Sequence, residues 1–277
     1  MLDLTATSVS TMLDVHRNLH ELLYVLALCS IRIFVIFTVL PATSDQVLPG
    51  GARNGIVYAI GFFIAAGQPA DSIAHIDALT AVILICKEMF IGLVIGYAAS
   101  SVFWVSQCVG VIIDNMAGFN NVQTANPLRG EQATPVSNVL IQLAIVLFYT
   151  YGGMMFLLGA IFQSFAWWPL EATLPSMNAL TESFMIHRVD SIMTATVKLA
   201  SPIIFVLVLI DIGFGLIAKA ADKLEPTSLS QPVRGVVAML MLVLLLNAFI
   251  EQVKTEFSFQ GFQSFLKENV ADGSAKH

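Results

Sequence analysis

The chain has 277 residues, 57% hydrophobic and only 12% charged, with a mean hydropathy of +0.80. An average soluble domain carries roughly 25% charged residues, so this composition, drawn out in long apolar runs, excludes an ordinary water-soluble globule and indicates a polytopic membrane protein. A net charge of −6 without any basic stripe excludes a nucleic-acid partner as a working hypothesis.

Residues 1–21 carry Asp3, Asp14, His16, Arg17, His20 and Glu21, with no basic start leading into an apolar stretch, so no cleavable leader is expected. Within them, residues 8–21 predict a short amphipathic helix with Met12, Val15 and Leu19 on one side. A first span is predicted at Leu22–Leu40, stopped by Pro41. A Pro-, Gly- and Ser-rich loop follows to Arg53. Gly55–Gly67 is apolar but shorter than the roughly 20 helical residues needed to cross a bilayer core, which predicts a re-entrant or protein-buried hairpin.

Leu79–Ile113 is too long for one simple crossing and reads either as a helix broken near Gly92, Gly96 or Gly110, or as one that protrudes beyond the bilayer. A polar break spans Asp114–Pro135. Asn138–Phe165 is apolar again, interrupted at Gly152-Gly153 and closed by Trp167-Trp168-Pro169, a composition suited to a membrane interface. Beyond a mildly acidic linker to Asp190, a helical hairpin is predicted, with arms at 191–221 and 233–250. Its turn carries Lys219, Lys223 and Arg234, which favours the cytoplasmic side; the linker and the polar tail, 251–277, then lie outside.

Ionisable residues inside the apolar runs are the candidate functional groups, because at membrane depth they face a bundle interior or a wet cavity. They are Arg32, Lys87, Glu88, Lys198 and Asp211. Lys87 and Glu88 point about 100° apart on a helix, so each is expected to find a partner on another element. Glu88, Gly92, Gly96, Ala99 and Phe103 share one stripe, and Gly92-x-x-x-Gly96 permits close backbone approach. The stripe fits either a packing seam with a buried charge network or a direct role in gating. Lys198 precedes Pro202 by four residues, so its carbonyl lacks a helical partner; that suits a gate, an ion site or a static kink. Asp211, Gly215, Ala218, Asp222 and Glu225 form an acidic stripe suited to a subunit contact near the membrane interior and a solvated face toward the turn.

The break at Asp114–Pro135 combines Met116, Gly118, Phe119, Asn120 and Asn121 without apolar periodicity. It is either an ordinary external loop or a plug filling a lumen. Cys29, Cys86 and Cys108 lie in apolar runs and read as small hydrophobes. His16 and His20 are the only close histidine pair and read as surface polarity, so no metal or other cofactor is expected. No His-Glu-x-x-His, Gly-x-Ser-x-Gly or phosphate-binding Gly-x-x-x-x-Gly-Lys motif occurs, and no enzymatic activity is expected. A small-solute transporter coupled through Glu88 or Asp211 is a rival reading, without the internal inverted repeats common in such folds.

Taken in order, Arg32 with Pro41, Pro49 and Arg53, then Lys87-Glu88 with Gly92 and Gly96, Gly110 with Asp114, Asn126-Pro127, Gly152-Gly153, Asp211-x-Gly213-x-Gly215 and Pro232-x-Arg234 resemble the SctT/FliR family of type III secretion and flagellar export-gate proteins. The resemblance covers about Leu22–Ile250. It departs after Gly215, where Ala221–Pro226 replaces a Pro-Gln-x-Asn stretch and Arg234 stands for a lysine. It implies an all-α chain of helical hairpins assembling into a cone-shaped export gate. Residues 1–190 would be an SctR/FliP-like part with a plug loop at about 114–127, and 191–250 an SctS/FliQ-like hairpin. The implied partners are SctR/FliP-like and SctS/FliQ-like subunits, an SctU/FlhB-like switch protein, an SctV/FlhA-like ring, unfolded secreted proteins and membrane lipid. Gly213 and Gly215 are expected at helix packing contacts, Pro232 and Arg234 in the turn, and Arg32, Lys87, Glu88, Lys198 and Asp211 in a charge network that makes subunit contacts.

Overall fold

The computed structural model describes residues 22–67, 78–119, 124–125, 132–170, 185–220 and 226–257. The predicted amphipathic segment 8–21, most of the acidic linker, Asn120, Asn121 and the end of the tail lie outside the described residues.

The protein is all-α. Among the described residues seven α-helices run in chain order: α1 (Leu22–Val39), α2 (Gly50–Ala66), α3 (Ala78–Ala117), α4 (Pro135–Thr150), α5 (Gly153–Trp167), α6 (Met185–Ala220) and α7 (Pro226–Phe257). A minimal antiparallel ladder pairs Thr124 with Ala133 and Ala125 with Gln132 between α3 and α4. Among the described residues four helices are long and apolar enough to cross a membrane, namely α1, α3, α6 and α7, and α4 with α5 makes a fifth, broken candidate. The chain is a multi-pass membrane protein.

Helix ends follow from local chemistry. Leu40, held extended before Pro41, stops α1, and the Thr43 hydroxyl donates at 2.6 Å to the Phe37 carbonyl that Pro41 leaves without its amide, while the Leu40 carbonyl accepts from the Thr43 amide at 3.1 Å. Pro135 opens α4, whose Val136 and Ser137 amides donate to the buried Asp114 carboxylate at 3.1 and 3.0 Å. Gly152, in the left-handed region at φ +72°, separates α4 from α5. In α6, Ser201 Oγ donates to the Lys198 carbonyl that Pro202 leaves without its amide, at 3.3 Å.

Several predicted boundaries shift. α3 is one unbroken helix of 40 residues, about 60 Å long. Its glycines are points of close approach instead of breaks: a Cβ on Gly92 would lie 2.6 Å from the Arg32 carbonyl oxygen, and one on Gly110 would meet Ser137 Cα at 2.2 Å. Asp114 and Met116 belong to its last turn, so the break begins at Gly118. The short apolar segment forms a 17-residue helix that leaves Tyr58, Phe62 and Phe63 exposed, contrary to a protein-buried hairpin. Pro232 and Arg234 lie inside α7, which starts at Pro226 and continues to Phe257, so they are not turn residues and the tail begins as helix.

The chain divides into two compact units, residues 1–99 with 157–180 and residues 100–156 with 181–277. In the first, Leu28, Ile33, Ile36 and Phe37 of α1 are buried, as are Ile91 and Ile95 of α3 and Leu157 and Ile161 of α5. In the second, Phe103 meets Phe148 edge to face at 5.6 Å, and Ile113, Leu140, Leu207 and Phe249 are buried.

Candidate functional site: a buried charge cluster and the end of α3

Three of the five predicted ionisable residues converge in the first unit. Gly92 and Gly96 allow α1 to lie close against α3; a Cβ on Gly96 would sit 3.3 Å from Ile36 Cα. That approach sets Arg32 opposite Glu88. Arg32 Nε and Nη2 donate to the two Glu88 carboxylate oxygens at 2.6 and 3.0 Å, a bidentate fork, and both side chains are fully buried. Arg32 Nη1 also donates to Ser164 Oγ at 3.0 Å, and Nη2 to the Trp168 carbonyl at 3.1 Å. The guanidinium lies 3.9 Å from the centre of the Phe165 ring, stacking its remaining face.

Lys87 completes the cluster. Its ammonium contacts Glu88 Oε1 at 3.0 Å and donates to the carbonyls of Pro169 and Leu170 at 3.0 and 2.9 Å. Three donors thus have three acceptors. The expectation that Lys87 and Glu88 face apart is corrected: both side chains bend toward the same corner, because the acceptors there lie on another segment.

Among the described residues two cations face one carboxylate, and backbone carbonyls supply further acceptors. α5 ends at Trp167, just before Pro169, so the carbonyls of 168–170 have no helical amide to accept from. They carry the negative end of the helix dipole, a natural seat for cations. Arg32 and Lys87 therefore cap α5 from two other helices. Ser164, Phe165 and these three carbonyls went unnoticed in the sequence. The Trp-Trp-Pro ending was the available signal, since a proline two residues past a helix exposes carbonyls to whatever cation is near.

The other predicted charges do not join this cluster. Asp211 pairs with Arg234 across the α6–α7 hairpin at 3.1 Å, with both side chains partly exposed. Lys198 is exposed and has no ion pair among the described residues. Gly213 and Gly215 face open space, so the expected packing at these glycines is not made within this chain. A groove in the second unit is lined by Val109, Ile113, Leu140, Leu199, Ile203 and Phe249 among others, all apolar. It offers none of the convergent polar groups that a solute site requires.

At the end of α3, Gly118 takes φ +79° and its carbonyl accepts from Gln231 Nε2 of α7 at 3.0 Å. Phe119 lays its ring beside Gly235, where an added Cβ would come within 3.1 Å.

Fold and site together define a helical, multi-pass membrane protein whose deepest charges lock helices to one another. More particularly, the family model of bacterial export proteins, family 1, matches residues 23–259, and the chain belongs to that family. It is 31% identical over 214 residues to the Yop proteins translocation protein T of Yersinia pestis, covering 77% of this chain and 82% of that one. It is 26% identical over 259 residues to the surface presentation of antigens protein SpaR of Salmonella typhimurium, covering 92% and 95%. With the flagellar biosynthetic protein FliR of Escherichia coli, identity is 23% over 232 residues, covering 82% and 87%.

Proposed function

We propose that this protein is an export-gate subunit of a bacterial type III secretion system, forming with SctR and SctS homologues the channel through which unfolded proteins leave the cytoplasm. The observation that carries this reading is the family match across 23–259, with a secretion relative at 31% identity and a flagellar one at 23%. That difference favours the secretion role over the flagellar one.

In this role the chain is not an enzyme and binds no cofactor. Residues 1–190 act as the SctR-like part and 191–250 as the SctS-like hairpin. It sits in the bacterial inner membrane, raised toward the periplasm as part of a cone, with an SctU-like switch protein and an SctV-like ring at the cytoplasmic side. The plug is Met116, on the last turn of α3, with Gly118, Phe119, Asn120 and Asn121. The exposed Lys198 and Gly215 and the half-buried Gly213 fit the subunit-facing side of the hairpin. Saturation of Glu88 by Arg32 and Lys87 supports a structural role for that carboxylate over proton-coupled solute transport.

Purification from the native membrane tests the reading. SctR- and SctS-like subunits are expected to co-purify, and deleting 118–121 is expected to leave assembly intact while the closed complex leaks small ions. Proton-coupled solute uptake by this chain alone would overturn it.

A further inference from the structure

Lys198 is exposed on the outer face of α6 and has no ion pair among the described residues. Phe205, Leu209, Ile212 and Leu216 follow it at i+7, i+11, i+14 and i+18, so they share its face. Val197 beside it is 63% exposed, Phe205 65% and Leu216 66%, a larger apolar patch than a face left in water carries. Bilayer lipid does not fit this face either. Along α6, Lys198 is separated by about 20 Å from Asp211, which is partly exposed together with its partner Arg234. The rest of α6 on either side is no longer than that. A hydrocarbon core is roughly 30 Å thick, so wherever it is drawn across the helix, one of these charged groups meets acyl chains. Asp211 and Arg234 neutralise each other, whereas Lys198 lacks an anion. Among the described side chains, Asp45, Glu88, Asp114, Asp211 and Glu251 already hold a cation or backbone amides. Asp190 lies about 12 Å away along the same helix, out of reach.

We propose that Lys198 anchors a helix-docking face on α6, and that its occupant is an apolar helix of another protein bringing one carboxylate against the ammonium. The apolar side chains around Lys198 then shut water out of the pair, and the pair sets which helix docks and in what register. Ser201, small and with its hydroxyl turned back to the Lys198 carbonyl, leaves room for the partner's backbone to come close. The proposal rests on the subunit reading above and adds the chemistry that the partner must present at this face.

The test uses the complex purified from the native membrane, as wild type, Lys198→Glu and Lys198→Arg, together with each chain purified alone. Lys198→Glu sets like charges against each other and is expected to lower co-purification of the docked subunit about thirty-fold or more, the factor for losing one partner of a buried charge pair. Lys198→Arg keeps the cation and is expected to retain the subunit. The unfolding temperature of the chain alone is expected to be the same in all three. An apolar carbodiimide, which joins an amine and a touching carboxylate as an amide, is expected to link Lys198 of the wild-type complex to an Asp or Glu on an apolar helix of another subunit. Undiminished co-purification of Lys198→Glu overturns the proposal, and loss of bound anionic phospholipid in that case makes a lipid headgroup the occupant. A link only to carboxylates of this chain, or a fall in the unfolding temperature of Lys198→Glu alone, overturns it as well. If SctR- and SctS-like subunits co-purify equally with both variants, the gate reading stands and the docking face falls. If the carbodiimide joins Lys198 to a protein unlike any export-gate subunit, the docking face stands and the gate reading falls.

Discussion

Replacing Glu88 with Ala removes the single carboxylate between two buried cations. Arg32 loses two of its four hydrogen bonds described above and Lys87 loses its contact with Glu88, while both stay buried. Breaking a buried pair by deleting one partner costs about 3–5 kcal/mol, because the remaining charge is left uncompensated. The cost here belongs at the upper end, since two cations are left facing each other. At about 2–4 °C per kcal/mol for a chain of this size, thermal unfolding of the purified chain in detergent is expected to fall by about 10 °C. The assay uses this chain alone, because every contact of Glu88 described above lies within it. Replacing Arg32, Lys87 and Glu88 together by Leu, Met and Leu is expected to recover only part of the loss. The carbonyls of Trp168, Pro169 and Leu170 would still lack donors, at about 1–3 kcal/mol for each one left buried. An unchanged unfolding temperature for Glu88→Ala, with lost co-purification of partner subunits, would refute this account and make the carboxylate an intersubunit contact.

Gly92→Leu forces α1 from α3 at a position where even a Cβ lies 2.6 Å from backbone, and is expected to destabilise the chain by at least about 1–3 kcal/mol in the same assay. Gly213→Ala and Gly215→Ala point into open space, so the chain alone should tolerate them; weakened co-purification by either would locate a subunit contact there. Asp114→Ala strips α4 of the carboxylate that accepts from two of its first amides and should cost about 1–2 kcal/mol, seen as earlier exchange of residues 135–140. A double-mutant cycle on Asp211 and Arg234 is expected to return a coupling of at most about 1 kcal/mol, because both side chains are partly exposed. A coupling several-fold larger would mean that the pair is desolvated in the assembled protein.

The sequence marked the right cations and missed what holds them. Arg32, Lys87 and Glu88 stand out because an ionisable side chain within an apolar run needs a reason. Half of the acceptors are backbone carbonyls, and a carbonyl has no letter of its own; Pro169 was the hint that some were free. Gly92 and Gly96 allow the close backbone approach that their spacing suggested, and Gly152, with positive φ, interrupts the chain as expected; of the two readings of α3, the unbroken helix holds, and Gly110 is a close approach and not a break. The start of α7 was placed late because hydropathy detects burial in lipid, not helicity. Its first turns, Thr227, Ser228, Ser230 and Gln231, are polar but helical. Separation of Asp211 and Lys198 from the first cluster was equally hidden, since nothing in a linear pattern tells which buried charges meet.

The capping of α5 has a consequence for how the chain is made. Arg32 lies 56 residues before Glu88, 132 before Ser164 and 136 before Trp168, and Lys87 lies 83 before Leu170. A nascent chain that has reached residue 150 holds both cations and the carboxylate but none of the carbonyls that balance the extra positive charge. The early helices therefore enter the membrane carrying an unsettled ammonium and guanidinium, and their arrangement becomes final only when the Trp-Trp-Pro segment arrives. A chain cut short before that segment keeps α1 and α3 and lacks the three carbonyls that accept from Arg32 and Lys87.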